Sequence, residues 1–239
     1  MKYVPLISFV VFLISFWQRN DFSEHRPPVN SALLQEPIQT PTDKAPFAVT
    51  MGDIRYQIQP LYEYDLYGLI VSYRHHDGDY GLHKLWNDHL NVADVCVVWQ
   101  QNATDAHLHH LDFWNGQFTC NVKTSNQAAW DSFHLNQLSN NHLLSADKPV
   151  RDQLNDLRIG DQIHIKGWLA SYSNDQGGTR GSSTTRDDTG NGACETIYVQ
   201  SVDILSPYHS RWRTLMILSL LVFIVSLVIH FRAKPRWRM

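Results

Sequence analysis

The sequence predicts a mainly β domain, a small antiparallel barrel or sandwich with two short helices, between a transmembrane helix at each end of the chain. Two apolar runs lie at the ends of the 239 residues, and the long segment between them is polar and rich in histidine. Most apolar stretches in that segment are short and rich in β-branched and aromatic residues, which is typical of strands. The hydrophobic fraction of 43% excludes a disordered chain, and the presence of only two long apolar runs excludes a polytopic transporter.

The C-terminal run predicts a membrane span over residues 214–231 (TLMILSLLVFIVSLVIHF). It contains no Asp, Glu, Lys or Arg, and its 18 residues reach about 27 Å as a helix, close to a hydrocarbon core of about 30 Å. A soluble helix of this length would carry a polar stripe, which this run lacks. Four basic residues lie in the tail, residues 232–239, and two precede the run, so the positive-inside rule places the tail in the cytoplasm.

The N-terminal run, residues 3–17, has a length that suits a signal peptide or a short anchor. It ends in bulky Phe16 and Trp17 with no small-residue cleavage site nearby, which favours an uncleaved membrane anchor over residues 1–18. Both termini are then cytoplasmic, and the polar middle of the chain lies on the other side of the lipid bilayer.

The distribution of charge along the chain agrees with this topology, because the middle is acidic and the ends are basic. Residues 20–210 hold 12 Lys and Arg against 23 Asp and Glu, a net charge of −11, and the ends carry the other eight basic residues. An acidic domain with scattered basic residues repels phosphate backbones, so nucleic acid is not an expected partner. The Pro-rich and polar residues 19–46 predict a linker, and residues 47–207 are long enough for one domain with its own core.

Six stretches of this domain have strand character: residues 54–58, 67–73, 95–99, 113–122, 162–172 and 195–205. Apolar residues at helical spacing predict helices over residues 80–90 and 150–157, the second with Asp147 as N-cap and Pro149 in its first turn. The sequence LRIGDQIHIKGWL combines a Gly-Asp turn with Gly167 inside a strand, a position that a strongly bent strand requires to lack a Cβ. OB-type barrels often contain such a strand, which makes an OB-like barrel the narrower prediction.

The three cysteines, Cys96, Cys120 and Cys194, allow one disulfide and one further thiol. Cys96 and Cys120 each lie in a short apolar run that is compatible with adjacent strands, so they are the favoured pair in an oxidising compartment. The alternative is that all three are buried, reduced side chains.

A polar motif, Ser139-Asn140-Asn141-His142, is enclosed by apolar residues. Ser and Asn side chains in such a motif hydrogen-bond backbone groups and stabilise an ordered loop, which makes Ser139, Asn140 and Asn141 candidate binding residues. In the alternative, His142 acts as a general base and is a candidate catalytic residue.

A second motif, residues 181–195 (GSSTTRDDTGNGACE), places small residues around one arginine and two aspartates and ends at the start of a strand. Arg186 and backbone amides suit an anion, whereas Asp187 and Asp188 suit a cation, although they lack the alternating carboxylates of an EF-hand. These three residues are candidate catalytic residues, and Glu195 is a candidate binding residue. A purely structural loop in which Arg186 pairs with an aspartate remains the alternative.

Histidines and aspartates also cluster between Arg74 and His83 (RHHDGDYGLH). Their spacing matches no metal-binding motif, so we interpret the segment as a polar turn between a strand and a helix. No metal and no cofactor is predicted, and a metal-binding sensor that uses this cluster is the weakest alternative.

Four segments in this order, LWNDHLNVADVCVVW, LSNNHLLSA, RIGDQIHIKGWL and TTRDDTGNGACE, resemble a family of uncharacterised bacterial membrane-anchored proteins over residues 60–205. The resemblance implies a bacterial envelope protein and assigns no activity. It marks the following motif positions without giving them roles: Trp86, Asn91, Asp94, Cys96, Trp99, Asn140, Asn141, His142, Arg186, Asp187, Asp188, Cys194 and Glu195.

Together these observations predict a bacterial inner-membrane protein that presents an acidic periplasmic β domain as a binding or assembly module of the cell envelope. Its expected partners are the lipid bilayer and either another envelope protein or a small ligand. The alternative is a membrane-anchored periplasmic hydrolase that uses His142 and the loop of Arg186, Asp187 and Asp188, which requires the two motifs to meet in space.

Overall fold

The computed structural model describes residues 3–24, 26–76, 78, 81–116, 119–185, 188–189 and 193–232, with the backbone alone described for Leu82. The chain forms two compact units. Pro27–Tyr208 is the larger unit, and the smaller unit consists of the segments before and after it.

Most regular structure in the larger unit is β. In chain order the described residues contain these helices and strands: α1 (Val4–Trp17), β1 (Ile38–Pro41), β2 (Phe47–Met51), β3 (Ile54–His75), α2 (Gly81–Leu85), β4 (Asn91–Val98), α3 (Gln100–Thr104), β5 (Asp112–Asn115), β6 (Cys120–Lys123), α4 (Gln127–Ser132), β7 (Leu138–Leu144), α5 (Lys148–Asp156), β8 (Gln162–Asn174), β9 (Thr179–Arg180), β10 (Cys194–Ser206) and α6 (Arg211–Arg232). Short 3-10 turns lie at Gln18–Asn20, Ser31–Leu34, Leu108–His110 and Leu135–Gln137.

Eight strands form one sheet in the order β1-β3-β4-β7-β10-β8-β9, and β2 pairs with β3 beside this path. The long strand β3 pairs with β8 along Tyr56–Leu69 and with β4 along Leu69–His75. Because β3 contacts both partners, the pairings β3-β4-β7-β10-β8-β3 form a closed circuit of five strands. The hairpin of β5 and β6 is a separate two-stranded sheet.

Two glycines permit close contacts within this circuit. A Cβ on Gly167 of β8 would lie 2.2 Å from the carbonyl oxygen of Tyr198 on β10, and a Cβ on Gly68 of β3 would lie 2.1 Å from Cγ1 of Val97 on β4. Any other residue at either position would push neighbouring strands apart. Gly167 therefore lies inside a strand, as predicted, because the backbone of the next strand occupies the space of a side chain.

The core lies inside the circuit of strands. Alternate residues of the five strands, among them Leu66, Val95, Leu143, Ile165 and Ile197, are fully buried there. Helix α5 packs Val150 and Leu154 onto the same cluster. Its start confirms the predicted cap, since the Asp147 side chain accepts a hydrogen bond from the Val150 amide and a proline lies in the first turn.

The mainly β fold is confirmed, with three corrections. The main sheet is mixed, since β7 and β10 run parallel, so the prediction of an antiparallel fold was wrong for this pair. Residues 113–122 form the two strands of a hairpin rather than one strand, and the helix expected over residues 80–90 is limited to α2. Helices α3 and α4, which were not predicted, lie between β4 and β7, where polar residues mask the periodicity of short helices.

The linker predicted over residues 19–46 is also corrected. Residues from Pro27 onward belong to the larger unit, β1 pairs with β3, and Leu33 is fully buried. The Gln162 side chain accepts from the Asn30 amide at 2.7 Å and donates to the Pro28 carbonyl at 3.0 Å. Prolines and polar residues here form an edge of the domain, because their backbone groups are paired with it.

The smaller unit is a pair of packed helices. The rings of Phe9 on α1 and Phe223 on α6 lie 5.1 Å apart, and Arg213 donates to the Asn20 side chain at 3.1 Å. Among the described helices, α6 is long and apolar enough to cross a membrane and encloses the predicted span, whereas the apolar helix Val4–Asn20 is shorter. Small serines, Ser8 and Ser15 on α1 and Ser219 on α6, are buried in this unit.

Candidate functional site

A buried carboxylate, Asp94, contacts two histidines. Asp94 on β4 lies directly opposite His142 on β7, and this register brings the His142 Nδ1 atom into a hydrogen bond with Oδ1 of Asp94. The other oxygen, Oδ2, lies 2.9 Å from Nε2 of His76, the residue after β3. Asn91 donates to Oδ1 at 3.3 Å. Asp94 and His142 are each 2% exposed and His76 is 7% exposed, so the cluster is closed to solvent.

The protonation of this cluster follows from its contacts. Burial acts to raise the pKa of Asp94, but the hydrogen bond of His142 and the close contact of His76 outweigh it and hold this pKa well below its usual range. Burial lowers the pKa of His76, although Asp94 acts in the opposite direction. At neutral pH the cluster therefore holds an ionised carboxylate that ring N–H groups stabilise.

A second polar pair continues from this cluster toward the surface. The ring of His83 lies 3.8 Å from the ring of His76, and its Nδ1 atom lies 3.1 Å from Oδ2 of Asp88. The Tyr172 hydroxyl donates to Oδ1 of Asp88 at 2.9 Å. Burial acts to raise the pKa of Asp88, but the hydrogen bonds of His83 and Tyr172 lower it overall. Burial raises the pKa of Tyr172 well above its usual value, so Tyr172 stays a hydrogen-bond donor.

Asp88 and Tyr172 line a cleft of about 510 Å³. Its other lining residues come from the connection between β3 and β4, from the end of β8 with the turn after it, and from β9: Trp86, Asn174, Gly177, Gly178, Thr179 and Arg180. The Asn174 amide donates to the Trp86 carbonyl at 3.0 Å, and the Asn174 Oδ1 atom accepts from the Gly178 amide at 2.7 Å. The two connections are thus hydrogen-bonded to each other across the cleft.

The two polar motifs of the sequence meet on neighbouring strands. Strand β10 runs parallel to β7, with Cys194 opposite Asn140, Glu195 opposite Asn141 and Thr196 opposite His142. The motif around His142 is therefore a strand rather than the predicted loop, since its backbone hydrogen bonds are made with β4 and β10.

The candidate binding residues are buried in this strand pair. Asn141 donates to Oγ of Ser139 at 2.8 Å and to the Val95 carbonyl at 3.2 Å. Asn140 accepts from Asn115 of β5 at 3.2 Å. Ser139, Asn140, Asn141 and Glu195 are all at most 5% exposed. The printed hydrogen bonds of Asn140 and Asn141 therefore fix strand positions and the β5-β6 hairpin, and none of the four residues lines the cleft around Asp88.

Of the four candidate catalytic residues, the structure describes His142 and Asp188. His142 is buried against Asp94. Asp188 accepts a hydrogen bond from the Ser183 hydroxyl. Arg186 and Asp187 lie outside the described residues.

The structure joins Cys96 of β4 to Cys120 of β6 in a disulfide with a Cα–Cα distance of 5.7 Å. This is the pair that the sequence favours, but the two strands are not adjacent in one sheet, since β6 pairs with β5. The bond links the β5-β6 hairpin to the main sheet. Burial raises the pKa of Cys194, which lies outside this disulfide, so its thiol is not activated as a nucleophile.

Metal ligation finds no support in the part of the chain that is described, where no group of three or more His, Cys, Asp or Glu side chains is placed to hold an ion. Both acidic residues of the predicted turn, Asp77 and Asp79, fall outside the described residues. In the clusters around Asp94 and Asp88, the carboxylates contact histidine rings.

Comparison with protein-family models, with curated proteins and with solved structures returned no match for this chain. The function must therefore be inferred from the geometry of the chain itself.

No local sequence pattern predicts the cleft. Asp88 and Tyr172 are 84 residues apart in the sequence, and Arg180 belongs to the short strand that follows the turn after β8, so no local pattern connects the three residues. A signal did exist for Asp94, which lies two residues before Cys96 and so shares a face of the strand with it. The partner strand, and with it His142, follows only from the strand order.

Proposed function

We propose that this chain is a bacterial inner-membrane protein that presents an acidic, OB-like periplasmic domain to the cell envelope as a binding module, and that its ligand occupies the cleft lined by Asp88 and Tyr172. The domain belongs, in this proposal, to the family of bacterial membrane-anchored proteins that the sequence resembles. Its partners are the lipid bilayer and a small ligand or a segment of another envelope protein, and nucleic acid is not among them.

The circuit of strand pairings supports the OB-like part of the proposal. An OB fold is a five-stranded Greek-key barrel, and β3, β4, β7, β8 and β10 are five strands that pair in a closed order. Helix α5 lies between the third and fourth of these strands and packs on the core. The remaining strands extend the sheet at its edges.

The position of the cleft is the observation on which the binding proposal depends. In OB folds, the loops between the first two and the last two strands contribute to ligand binding. Here the corresponding connections are those from β3 to β4 and from β8 to β10, and both supply residues to the cleft. The polar chain behind it, from Asp88 through His83 to His76, fixes the geometry of its floor.

The apolar helices support the membrane assignment. Helix α6 is long enough to span, and α1 packs against it within the smaller unit. Basic residues follow α6 in the sequence and Lys2 precedes α1, which favours a hairpin with both termini in the cytoplasm. A buried serine interface of Ser8, Ser15 and Ser219 suits two membrane helices, since small residues let helices approach in lipid.

Binding is favoured over hydrolysis because of the burial of His142. A general base has to reach the proton that it removes, and His142 is closed off from solvent with its Nδ1 atom held by Asp94. The hydrolase remains the alternative function, supported by the carboxylate–histidine pair, a pairing that also orients catalytic histidines. It requires an opening of the strand face that covers His142.

The test compares ligand-induced thermal shifts of the full-length protein in detergent with those of two cleft variants, Trp86→Ala and Arg180→Gln. The panel contains single representatives of neutral sugars, phosphate, amino acids and short peptides. We expect at least one class to raise the Tm of the wild type and both variants to lose that increase. A shift that survives in both variants, or no shift with any class, would contradict a binding function at this cleft.

A separate experiment tests the topology. Green fluorescent protein fused to the C-terminus should fluoresce, and alkaline phosphatase inserted after Asp43 should be active, if the tail is cytoplasmic and the domain periplasmic. The reverse pattern would overturn the proposed localisation while leaving the cleft proposal in place.

A further inference from the structure

The chemistry of the cleft allows its ligand class to be named. We infer that the cleft binds a neutral saccharide, with one pyranose ring against the indole of Trp86 and ring hydroxyls on Asp88 and Arg180. This inference rests on the proposed function, since it specifies the ligand of the same cleft.

The wall of the cleft is a flat apolar surface. The Trp86 side chain is 39% exposed, although its backbone carbonyl is fixed by the Asn174 amide at 3.0 Å. A partly exposed indole at the edge of a cleft offers apolar area on which a ligand can pack, and an indole has few rotatable bonds to immobilise. The C–H face of a pyranose is flat and apolar on a similar scale.

The floor of the cleft supplies charged hydrogen-bonding groups. Asp88 is ionised at neutral pH, because the hydrogen bonds of His83 and Tyr172 outweigh the effect of burial on its pKa. Each carboxylate oxygen has a second lone pair beyond the contacts with Tyr172 and His83, so it can accept a hydroxyl from a ligand. The guanidinium of Arg180 is close enough to act electrostatically on Asp88, and it presents donors to the same space.

The charge balance of the floor selects among ligand classes. Asp88 and Arg180 place opposite charges beside the same cleft. A ligand can hydrogen-bond with both residues if one of its groups donates to the carboxylate and a neighbouring group accepts from the guanidinium. Two vicinal hydroxyls of a sugar can make these two hydrogen bonds, and the sugar carries no charge. The net charge of −11 over residues 20–210 opposes polyanions such as nucleic acids.

The shape and size of the cleft agree with a sugar. Its volume of about 510 Å³ is within the usual range of about 300–1,000 Å³ for small-molecule sites. Gly177 has nothing within 4 Å of an added Cβ, so the turn leaves an open backbone edge beside the cleft. This volume is compatible with a mono- or disaccharide.

The experiment is isothermal titration calorimetry with the full-length protein in a detergent that has no sugar headgroup. The probes are maltose, N-acetylglucosamine and N,N′-diacetylchitobiose, with inorganic phosphate and Ala-Ala-Ala as other ligand classes. We expect at least one saccharide to bind and Trp86→Ala to weaken that binding at least tenfold. Trp86→Phe, which keeps a ring, should retain affinity within about threefold, and this separates stacking from a folding defect.

The matched control is Trp114→Ala. Trp114 lies on the β5 strand, outside the cleft, and is 44% exposed, close to the exposure of Trp86. Its replacement should change saccharide affinity by less than twofold. Equal weakening by both Trp variants, or saccharide binding that is unaffected by Trp86→Ala, would overturn the inference.

The remaining outcomes separate this inference from the function on which it rests. If phosphate or the tripeptide binds, Trp86→Ala weakens that binding and no saccharide binds, then the saccharide inference is wrong and the binding function of the cleft stands. If no probe binds to the wild type, the saccharide inference is overturned. The thermal-shift experiment then tests the binding function separately: an increase in Tm that another ligand class causes in the wild type but not in Trp86→Ala supports it, and no such increase contradicts it.

Discussion

Replacement of Asp94 by asparagine should destabilise the larger unit strongly. Asp94→Asn keeps the shape of the side chain but removes the charge that stabilises contacts with His142 and His76. A hydrogen bond to a charged group contributes about 1.5–3 kcal/mol, and breaking a buried charged cluster by removing one partner costs about 3–5 kcal/mol. Because Asp94 is only 2% exposed, solvent does not screen these contacts. We therefore expect Asp94→Asn to lower the free energy of unfolding by about 3–5 kcal/mol.

The assay is thermal unfolding of the full-length protein in detergent at pH 7.5, followed by tryptophan fluorescence. For a unit of this size, 1 kcal/mol corresponds to about 2–4 °C, so the Tm should fall by about 6–20 °C. The control is Asp152→Asn on α5, which removes a pair with Lys148 at 2.6 Å in which Asp152 is 61% exposed. That change should cost less than about 1 kcal/mol. An Asp94→Asn protein that melts within 1 °C of wild type would refute the structural role of the cluster.

Three further changes test other parts of the account. Acidification should lower stability in two ranges of pH, because the pKa values of His76, Asp88 and Asp94 are all depressed in the folded chain. The contribution of His76 is complete above about pH 6.5 and is lost as the pH falls below it, whereas those of Asp88 and Asp94 are complete above about pH 4 and are lost only below it. Measurements of Tm between about pH 7.5 and 2.5 will show both losses. Gly167→Ala should lower the free energy of unfolding, measured by urea titration, by about 2 kcal/mol or more, because its Cβ would lie 2.2 Å from the Tyr198 carbonyl oxygen. The control Gly181→Ala, whose Cβ would have nothing within 4 Å, should leave that free energy nearly unchanged. The disulfide closes a loop with a sequence separation of 24, so its loss in Cys120→Ser should lower the free energy of unfolding by about 3.5 kcal/mol. Unchanged stability of the wild type on reduction would count against the bond.

Local signals were sufficient for much of the fold. The apolar run over residues 214–231 is uniform along its length, so the sequence alone located α6. Asp147 and Pro149 predicted the start of α5 because capping is decided by a few neighbouring residues. Gly167 located strand β8, and the absence of a side chain there has a steric reason.

The rest of the fold depends on contacts between distant residues. The parallel pairing of β7 with β10 joins residues more than 50 positions apart, and no turn sequence announces it. Residues 27–46 have the composition of a linker, yet Leu33 is buried and β1 is paired, since tertiary contacts override local preference. The pairing of Cys96 with Cys120 was predicted from the adjacency of two strands. In the structure the two cysteines meet because the β5-β6 hairpin folds onto β4.

The candidate site was predicted only in fragments. His142 and Asp94 were both noticed as motif positions, but their contact requires the register of β4 against β7. Asp88 and Tyr172 meet because the connection between β3 and β4 folds over the end of β8. Such a contact leaves no periodic trace in the sequence.

The most direct test of the account is an NMR titration of the full-length protein that observes the indole N–H signals of its tryptophans. The signal of Trp86, assigned with the Trp86→Phe variant, should shift progressively with the saccharide that binds most tightly in calorimetry, while the signal of Trp114 stays unchanged. Binding that moves the Trp114 signal and leaves the Trp86 signal in place would contradict a ligand site in the cleft.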